Sequence, residues 1–256
     1  MGKKIALIIG ASSGIGRELA CRLYKEHGDE FEEFWLVARR KARLEELKNG
    51  LSAEKITVLE GDVTDATFPG LLRARLQAEN AEISMLVISA GTGEYGDFLT
   101  LAEGNIDSCV RLNCLGTAAL LRLCPEFMGP GSRIIMLASA SAFFPQPGFA
   151  LYAATKAFTY SLSRALGEEL KARKITVTTV CPGPCDTEFI TIASGGKPIP
   201  KVKQKFLTTP DNVAAKSLRA AYSGRKLCIP TFSMKLLYFF RGIIPDSVAM
   251  SIMYKK

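Results

Sequence analysis

A doubly wound α/β fold on a parallel sheet is predicted by three features of this 256-residue chain. Short apolar runs alternate with helix-length amphipathic segments from one end to the other. The runs are apolar at nearly every position rather than at every second one, as expected where helices cover both faces of a sheet. The first run passes directly into a glycine-rich turn that opens a helix. With 48% hydrophobic residues the chain can build one sizeable core, and it contains neither a low-complexity tract nor a domain-sized repeat.

Lys3 to Ile9 is the first predicted strand. From Ile15 onward, Leu19, Ala20 and Leu23 mark the inner face of a helix. Between them lie Gly10, Ser12, Ser13, Gly14, Ile15 and Gly16. Glycines let the backbone turn sharply and approach an anion, whose charge the free N–H groups of a helix N-terminus meet, so this loop reads as a pyrophosphate cradle. The plainer alternative is a glycine-rich turn without a ligand. Phe34 to Ala38 is the second strand, ending in Arg39-Arg40-Lys41. A site for a free ribose 2′-hydroxyl tends to place an acid near this point, and Ala38 supplies none. Arg39 and Arg40 instead offer guanidinium forks suited to a 2′-phosphate, which points to NADP(H). Alternatively they begin a solvated helix face that Lys41, Arg43, Glu45 and Glu46 continue.

Ile56 to Glu60 is the third strand, followed by Gly61-Asp62-Val63, and a helix is predicted from about Phe68 to Ala78. Ile83 to Ile88 is the fourth strand, ending at Ser89-Ala90-Gly91. The next helix, from near Leu101, carries Asn113 among Leu112, Leu115 and Leu120. A polar side chain there needs partners, whether as a structural tie or as part of a catalytic site. The run Ile134 to Leu137 then brings Ser139 to a strand end, and a loop broken by Pro145 and Pro147 leads to a helix with Tyr152 and Lys156. Their spacing puts both on one helix face, so the Lys156 ammonium is expected to draw the Tyr152 phenol below its usual pKa of about 10. Tyr152 would then exchange a proton while Ser139 holds a carbonyl or alkoxide oxygen. Taken alone, such a pair is an ordinary half-buried tyrosine and a solvated lysine, since so short a motif recurs by chance.

Ile175 to Cys181 is the sixth strand, closed by Pro182-Gly183-Pro184. Thr187 to Lys205, with Gly195-Gly196 and Pro198-Ile199-Pro200, lacks a clear pattern and suits a lid beside a strand end. A helix from about Pro210 to Tyr222 and a short strand, Leu227-Cys228-Ile229, complete a domain spanning 1–232. Phe143, Phe144, Phe149 and Phe189 fall near the proposed site and favour an apolar substrate, such as a steroid or a long-chain acyl ketone. The apolar extension 233–256 is interrupted by Lys235, Arg241, Pro245 and Asp246, so a spanning helix is not expected. Either it lies in a membrane interface with its lysines and Arg241 on anionic headgroups, or Leu236, Leu237, Phe239 and Phe240 cover the pocket or a second subunit.

Seven cysteines, mostly inside apolar elements, argue against a disulfide framework. Cys181 and Cys185 lack clustered partners for a zinc site, and the single histidine, His27, suits a helix end. The charge of +8, from 33 basic and 25 acidic residues, favours anionic partners without choosing among them, and no nucleic-acid-binding motif is present. The first apolar run ends at Gly10, too early for a signal peptide, and Ala6 stands where myristoylation needs Ser or Thr; a cytoplasmic protein is expected.

Gly10-x-x-x-Gly14-x-Gly16, Asp62-Val63, Ala90-Gly91, Asn113, Ser139, Tyr152-x-x-x-Lys156 and Pro182-Gly183 with Thr187 stand in the order found in one family. Over residues 3 to 232 the chain resembles the short-chain dehydrogenase/reductase family in its classical form. The thirteen positions from Ser139 to Tyr152 fit that family and favour Ser139 over Ser141. The resemblance implies a Rossmann-type fold and a homo-oligomer. It makes Tyr152 the proton donor or acceptor, with Lys156 lowering its pKa and bonding the nicotinamide ribose. Ser139 would orient the substrate oxygen, and Asn113 would support a water-mediated proton relay. Gly10 to Gly16 would hold the pyrophosphate, Asp62 and Val63 the adenine, Ala90 and Gly91 the adjoining ribose, and Pro182, Gly183 and Thr187 the nicotinamide. Ile9 replaces the family's Thr before the first glycine, and Ile88-Ser89 replaces its Asn-Asn, changing the hydrogen bonding at those strand ends. The expected function is NADP(H)-dependent interconversion of a ketone and a secondary alcohol. A non-catalytic dinucleotide sensor or a lipid-binding protein on the same fold is the rival, although a sensor needs no set like Asn113, Ser139, Tyr152 and Lys156.

Overall fold

The computed structural model describes residues 2–51, 54–198 and 204–253. Its strands are β1 (Lys3–Ile9), β2 (Glu33–Ala38), β3 (Ile56–Glu60), β4 (Ala81–Ile88), β5 (Arg133–Leu137), β6 (Thr176–Val180) and β7 (Leu227–Cys228). All pair in parallel in the order β3-β2-β1-β4-β5-β6-β7. The chain builds outward from β1 in one direction and then, from β4, in the other. The crevice between the carboxyl ends of β1 and β4 is therefore the point where ligands bind in such sheets.

Alternate residues of β1 explain why its sequence is apolar from Ile5 onward. Ala6 and Ile8 face a cluster with Leu19 and Leu23 of α1 (Gly14–His27), Leu44 and Leu47 of α2 (Lys41–Gly50), and Val213 and Leu218 near the chain's end. Ile5, Leu7 and Ile9 face the opposite cluster, with Trp35, and with Leu72 and Leu76 of α3 (Phe68–Ala78). Helices α4 (Glu103–Val110), α5 (Thr117–Leu123), α6 (Ala150–Glu169), α7 (Glu188–Ala193), α8 (Pro210–Tyr222), α9 (Phe232–Phe240) and α10 (Asp246–Met253) complete the described elements. Val213 and Leu218 belong to α8.

Three local departures from the sequence expectation bear on the site. The helix carrying Asn113 begins at Glu103 and widens into a π-helix over Arg111–Gly116, a register change that apolar periodicity does not reveal. The segment expected as an unpatterned lid contains α7. It leaves and rejoins the fold at the Cys185–Thr208 bridge, with Asp186 N–H donating to Thr208 O at 2.9 Å. Of the lid expectation, Ile199, Pro200 and Lys201 to Lys203 lie outside the described residues, as do Tyr254, Lys255 and Lys256 of the tail. Finally, α9 lays Met234, Leu237 and Tyr238 on a third apolar cluster that contains Phe143, Phe144, Cys181 and Ile229. No helix among the described residues is long and apolar enough to cross a membrane. All seven cysteines are free thiols.

The glycine loop is sterically closed to larger side chains. A Cβ on Gly16 would stand 2.2 Å from Gly10 O, backbone against backbone. Gly16→Ala should therefore lower the unfolding free energy by about 1–3 kcal/mol, the range for overpacking. Gly50→Ala, where a Cβ meets nothing within 4 Å, should be neutral or stabilise by up to about 1 kcal/mol. Urea unfolding of the two variants separates these outcomes, and equal midpoints would contradict the steric account.

Candidate active site

At the end of β1 the chain turns through Gly10, whose φ of +86° few other residues adopt and whose Cβ would lie 2.5 Å from Ala90 N. Gly14 follows at φ +55°, with Thr187 packed so closely that a Cβ would meet its Cγ2 at 3.2 Å. Gly14 and Ile15, at the N-terminus of α1, line the crevice, where free backbone N–H groups can meet an anion. Ile9 and Ser89, at the two positions that depart from the family pattern, are joined by the main chain: Ser89 N–H donates to Ile9 O at 2.9 Å.

One cleft of about 1070 Å³ runs from this loop to α9. Its size is at the top of the roughly 300–1,000 Å³ usual for a single small ligand, so it suits a dinucleotide with a substrate beside it. Of the residues singled out from sequence, Gly10, Ser12, Ser13, Gly14, Ile15, Arg39, Arg40, Asp62, Val63, Ala90, Gly91, Ser139, Tyr152, Lys156, Pro182, Gly183 and Thr187 all line it. Gly16 and Asn113 lie behind the lining, where they shape it.

The two arginines after β2 differ. Arg39 is 68% exposed along its side chain and has Asp62 Oδ2 3.8 Å away. Arg40 is committed elsewhere: it donates to Ser13 Oγ at 2.8 Å, Ser12 Oγ at 3.3 Å and Glu188 Oε1 at 2.9 Å. The expectation that both present free forks is corrected accordingly, since Arg40 ties the glycine loop to the first turn of α7. That contact holds the Glu188 carboxyl below its usual pKa range, chiefly through the Arg40 hydrogen bond.

Ser139, Tyr152 and Lys156 meet at the cleft floor, and all three are buried. β5 delivers Ser139, whose Oγ accepts the Ser141 N–H at 3.1 Å and caps a short 3-10 turn. On α6, Lys156 Nζ donates to Leu137 O at 2.9 Å and stands 5.7 Å from the centre of the Tyr152 ring. The predicted lowering of the Tyr152 pKa is not found. Burial raises it, partly offset by the Ser139 hydroxyl, and burial lowers Lys156 to about 8. The ammonium is bound to the strand end rather than to the phenol, and withdrawal from water dominates both groups.

Asn113 is 1% exposed and fully partnered. Its Oδ1 accepts the Thr92 N–H at 2.9 Å, while Nδ2 donates to Thr92 O at 2.7 Å and Thr155 Oγ1 at 2.9 Å. It thereby pins the chain after β4 to α6, the helix that carries Tyr152 and Lys156. Thr155, beside Lys156, was not legible as its partner. Nor was Tyr95, which stacks on Phe149 at 4.0 Å, as Phe149 does on Tyr152 at 4.4 Å. Burial pushes Tyr95 to about 12. Phe189 completes the aromatic wall at 5.2 Å from Tyr152. Phe143 and Phe144, expected near the site, instead pack under α9 and do not line the cleft. His27 lies away from the cleft, stacked on Tyr222 at 3.7 Å, with its Nδ1 2.9 Å from Glu30 Oε1.

The family model "short chain dehydrogenase" matches residues 4–194. The sulfoacetaldehyde reductase of Chromohalobacter salexigens is 31% identical over 199 residues, covering 74% of this chain and 75% of that one. The probable oxidoreductase EphD of Mycobacterium tuberculosis is 29% identical over 194 residues, 74% of this chain; the match spans only 32% of EphD's length. Among solved structures, a short-chain dehydrogenase from Sphingobium yanoikuyae, described in complex with NADPH, aligns with a TM-score of 0.77 and 27% identity over 94% of each chain. Another short-chain dehydrogenase of the same fold, from Burkholderia phymatum, is described with NAD. The match over most of the sheet, together with the convergence of the serine, tyrosine and lysine on one cleft, shows that this chain belongs to the short-chain dehydrogenase/reductase family.

Proposed function

We propose that the protein is an NADP(H)-dependent oxidoreductase that interconverts a ketone and a secondary alcohol on an apolar substrate. The observation that carries this reading is the joining, in a single cleft, of a glycine loop and Arg39 at one end with Ser139, Tyr152 and Lys156 at the other. The residues fit a dinucleotide. A Cβ at Gly10 would clash with the Ala90 backbone and one at Gly14 would press on Thr187, so the close turn of the loop needs glycine there, and Arg39 is open to a 2′-phosphate that Ala38 does nothing to repel. When bound, the dinucleotide supplies or accepts the hydride.

The chain's own residues manage the substrate oxygen. Burial keeps Tyr152 a neutral phenol at neutral pH, the form that donates a proton to an oxygen gaining negative charge. Ser139 Oγ lies at the same floor and orients that oxygen. With a pKa of about 8, Lys156 is largely charged at pH 7, and its ammonium favours the phenolate left behind once the proton is given up. Asn113 acts as a positioning residue, fixing the Thr92 main chain against Thr155. The substrate half of the cleft is walled by Phe149, Phe189, Phe206, Met234, Leu237 and Phe240, which supports an apolar ketone.

Tyr152→Phe should leave fold and dinucleotide affinity intact while lowering kcat by at least about 10²-fold, the usual loss on removing a general acid. Stopped assays of dinucleotide oxidation check this, and a folded Tyr152→Phe protein turning over at the original rate would overturn the assignment. The arginines separate by cofactor. Loss of one guanidinium–phosphate contact, about 1.5–3 kcal/mol, should bring the Kd values for NADPH and NADH together in Arg39→Ala. Arg40→Ala should weaken both cofactors alike, because Arg40 holds the loop rather than the phosphate. Equal NADPH and NADH affinities in the unmodified protein would contradict the cofactor assignment.

A further inference from the structure

The face around the cleft mouth is apolar and cationic at once. On α9, Phe232, Leu236 and Phe239 recur at helical spacing, and Ile243 is exposed just beyond the helix end. Phe232 is 80% exposed, Phe239 68% and Ile243 65%. The opposite face of the helix, Met234, Leu237 and Tyr238, is the one packed on the protein. Leu236 and Phe240 belong both to this exposed surface and to the cleft lining, as do Ile192 and Phe206 from the segment across the mouth. The apolar surface is therefore continuous with the interior of the cleft.

The two stretches that form this face carry basic residues only, and Glu188 and Asp246 flank them. Stretches 189–210 and 229–245 contain four lysines, Lys235 and Arg241 but no acidic residue, in a chain with 25 acids overall. Among the described residues, Lys197, Lys205, Lys235 and Arg241 are all exposed. A two-fold contact between copies through this face would bring like charges together and bury them, whereas anionic headgroups neutralise them while the aromatic row enters the acyl boundary.

We infer that the cleft mouth docks on an anionic lipid surface through α9, and that the apolar substrate enters the cleft from the lipid without crossing water. The delivery step rests on the reading of the cleft as an apolar ketone site; the docking does not.

Co-sedimentation of the full chain with vesicles tests the docking. Binding is expected to vesicles of mixed phosphatidylcholine and phosphatidylglycerol, to be much weaker to phosphatidylcholine alone, and to be reversed by salt. The variant Phe232→Ser/Phe239→Ser/Ile243→Ser alters only exposed residues outside the cleft lining and should reduce the bound fraction by roughly tenfold or more. Lys197→Glu/Lys235→Glu, at two exposed lysines, should abolish the preference for anionic vesicles. Thermal unfolding and dinucleotide binding should be unchanged in both variants, which separates this test from any failure of the catalytic reading. Absence of vesicle binding by the unmodified chain would overturn the inference. Dissociation of an oligomer by the triple serine variant, without lipid binding, would assign the face to a contact between copies instead.

Discussion

The site depends on an ammonium group held away from water by a single main-chain carbonyl. Lys156 Nζ is anchored to Leu137 O at the carboxyl end of β5, at the floor of the cleft, with Gly91 and Asn113 packed beside it. A Cβ on Gly91 would come within 3.1 Å of Nζ and 3.3 Å of Asn113 Oδ1. The glycine after β4, the asparagine of the π-helical turn and the lysine of α6 are thus parts of one packing problem. Burying a lysine with one partner is unfavourable for folding, and here that cost falls 5.7 Å from the Tyr152 ring, where the proposed function needs a charge.

The same cleft is assembled from segments far apart in sequence. Arg40, after β2, reaches Glu188 on α7, and Thr187 packs against Gly14. The loop that would cradle the pyrophosphate is thereby tied to the segment that walls the substrate half. This pair is only partly buried, so its value lies in geometry more than in stability.

Much of this was legible from residue patterns. Strands covered on both faces are apolar at nearly every position, so β1, β2 and β4 announced themselves, and the positive φ at positions 10 and 14 of the loop after β1 suits glycine. The four-residue step from Tyr152 to Lys156 correctly put both on one helix face. What failed to show was whatever depends on partners brought together by folding. The pKa of Tyr152 follows burial, which no local pattern records, so its direction was misjudged. Arg40 looked as free as Arg39 because Glu188 lies 148 positions away. Phe143 and Phe144 differ from Phe149 only in the direction they face after a proline-broken loop. The π-helical widening at Asn113 leaves no signature in apolar spacing.

The most direct measurement compares the pH dependence of unfolding for the unmodified protein and Lys156→Met. Lys156 has a folded pKa of about 8, below its ordinary 10.5, so the unfolded chain binds the proton more tightly than the folded one. The resulting penalty is complete below pH 8 and is relieved as pH rises from about 8 to about 10.5, where stability should increase with pH. Lys156→Met, which removes the charge but keeps the volume, should therefore be more stable than the unmodified protein at pH 7 by about 2–4 kcal/mol. That advantage should shrink across the same pH window, while the variant loses activity. A methionine variant no more stable at pH 7, or one whose advantage does not change with pH, would show that the lysine is not held at the expense of the fold.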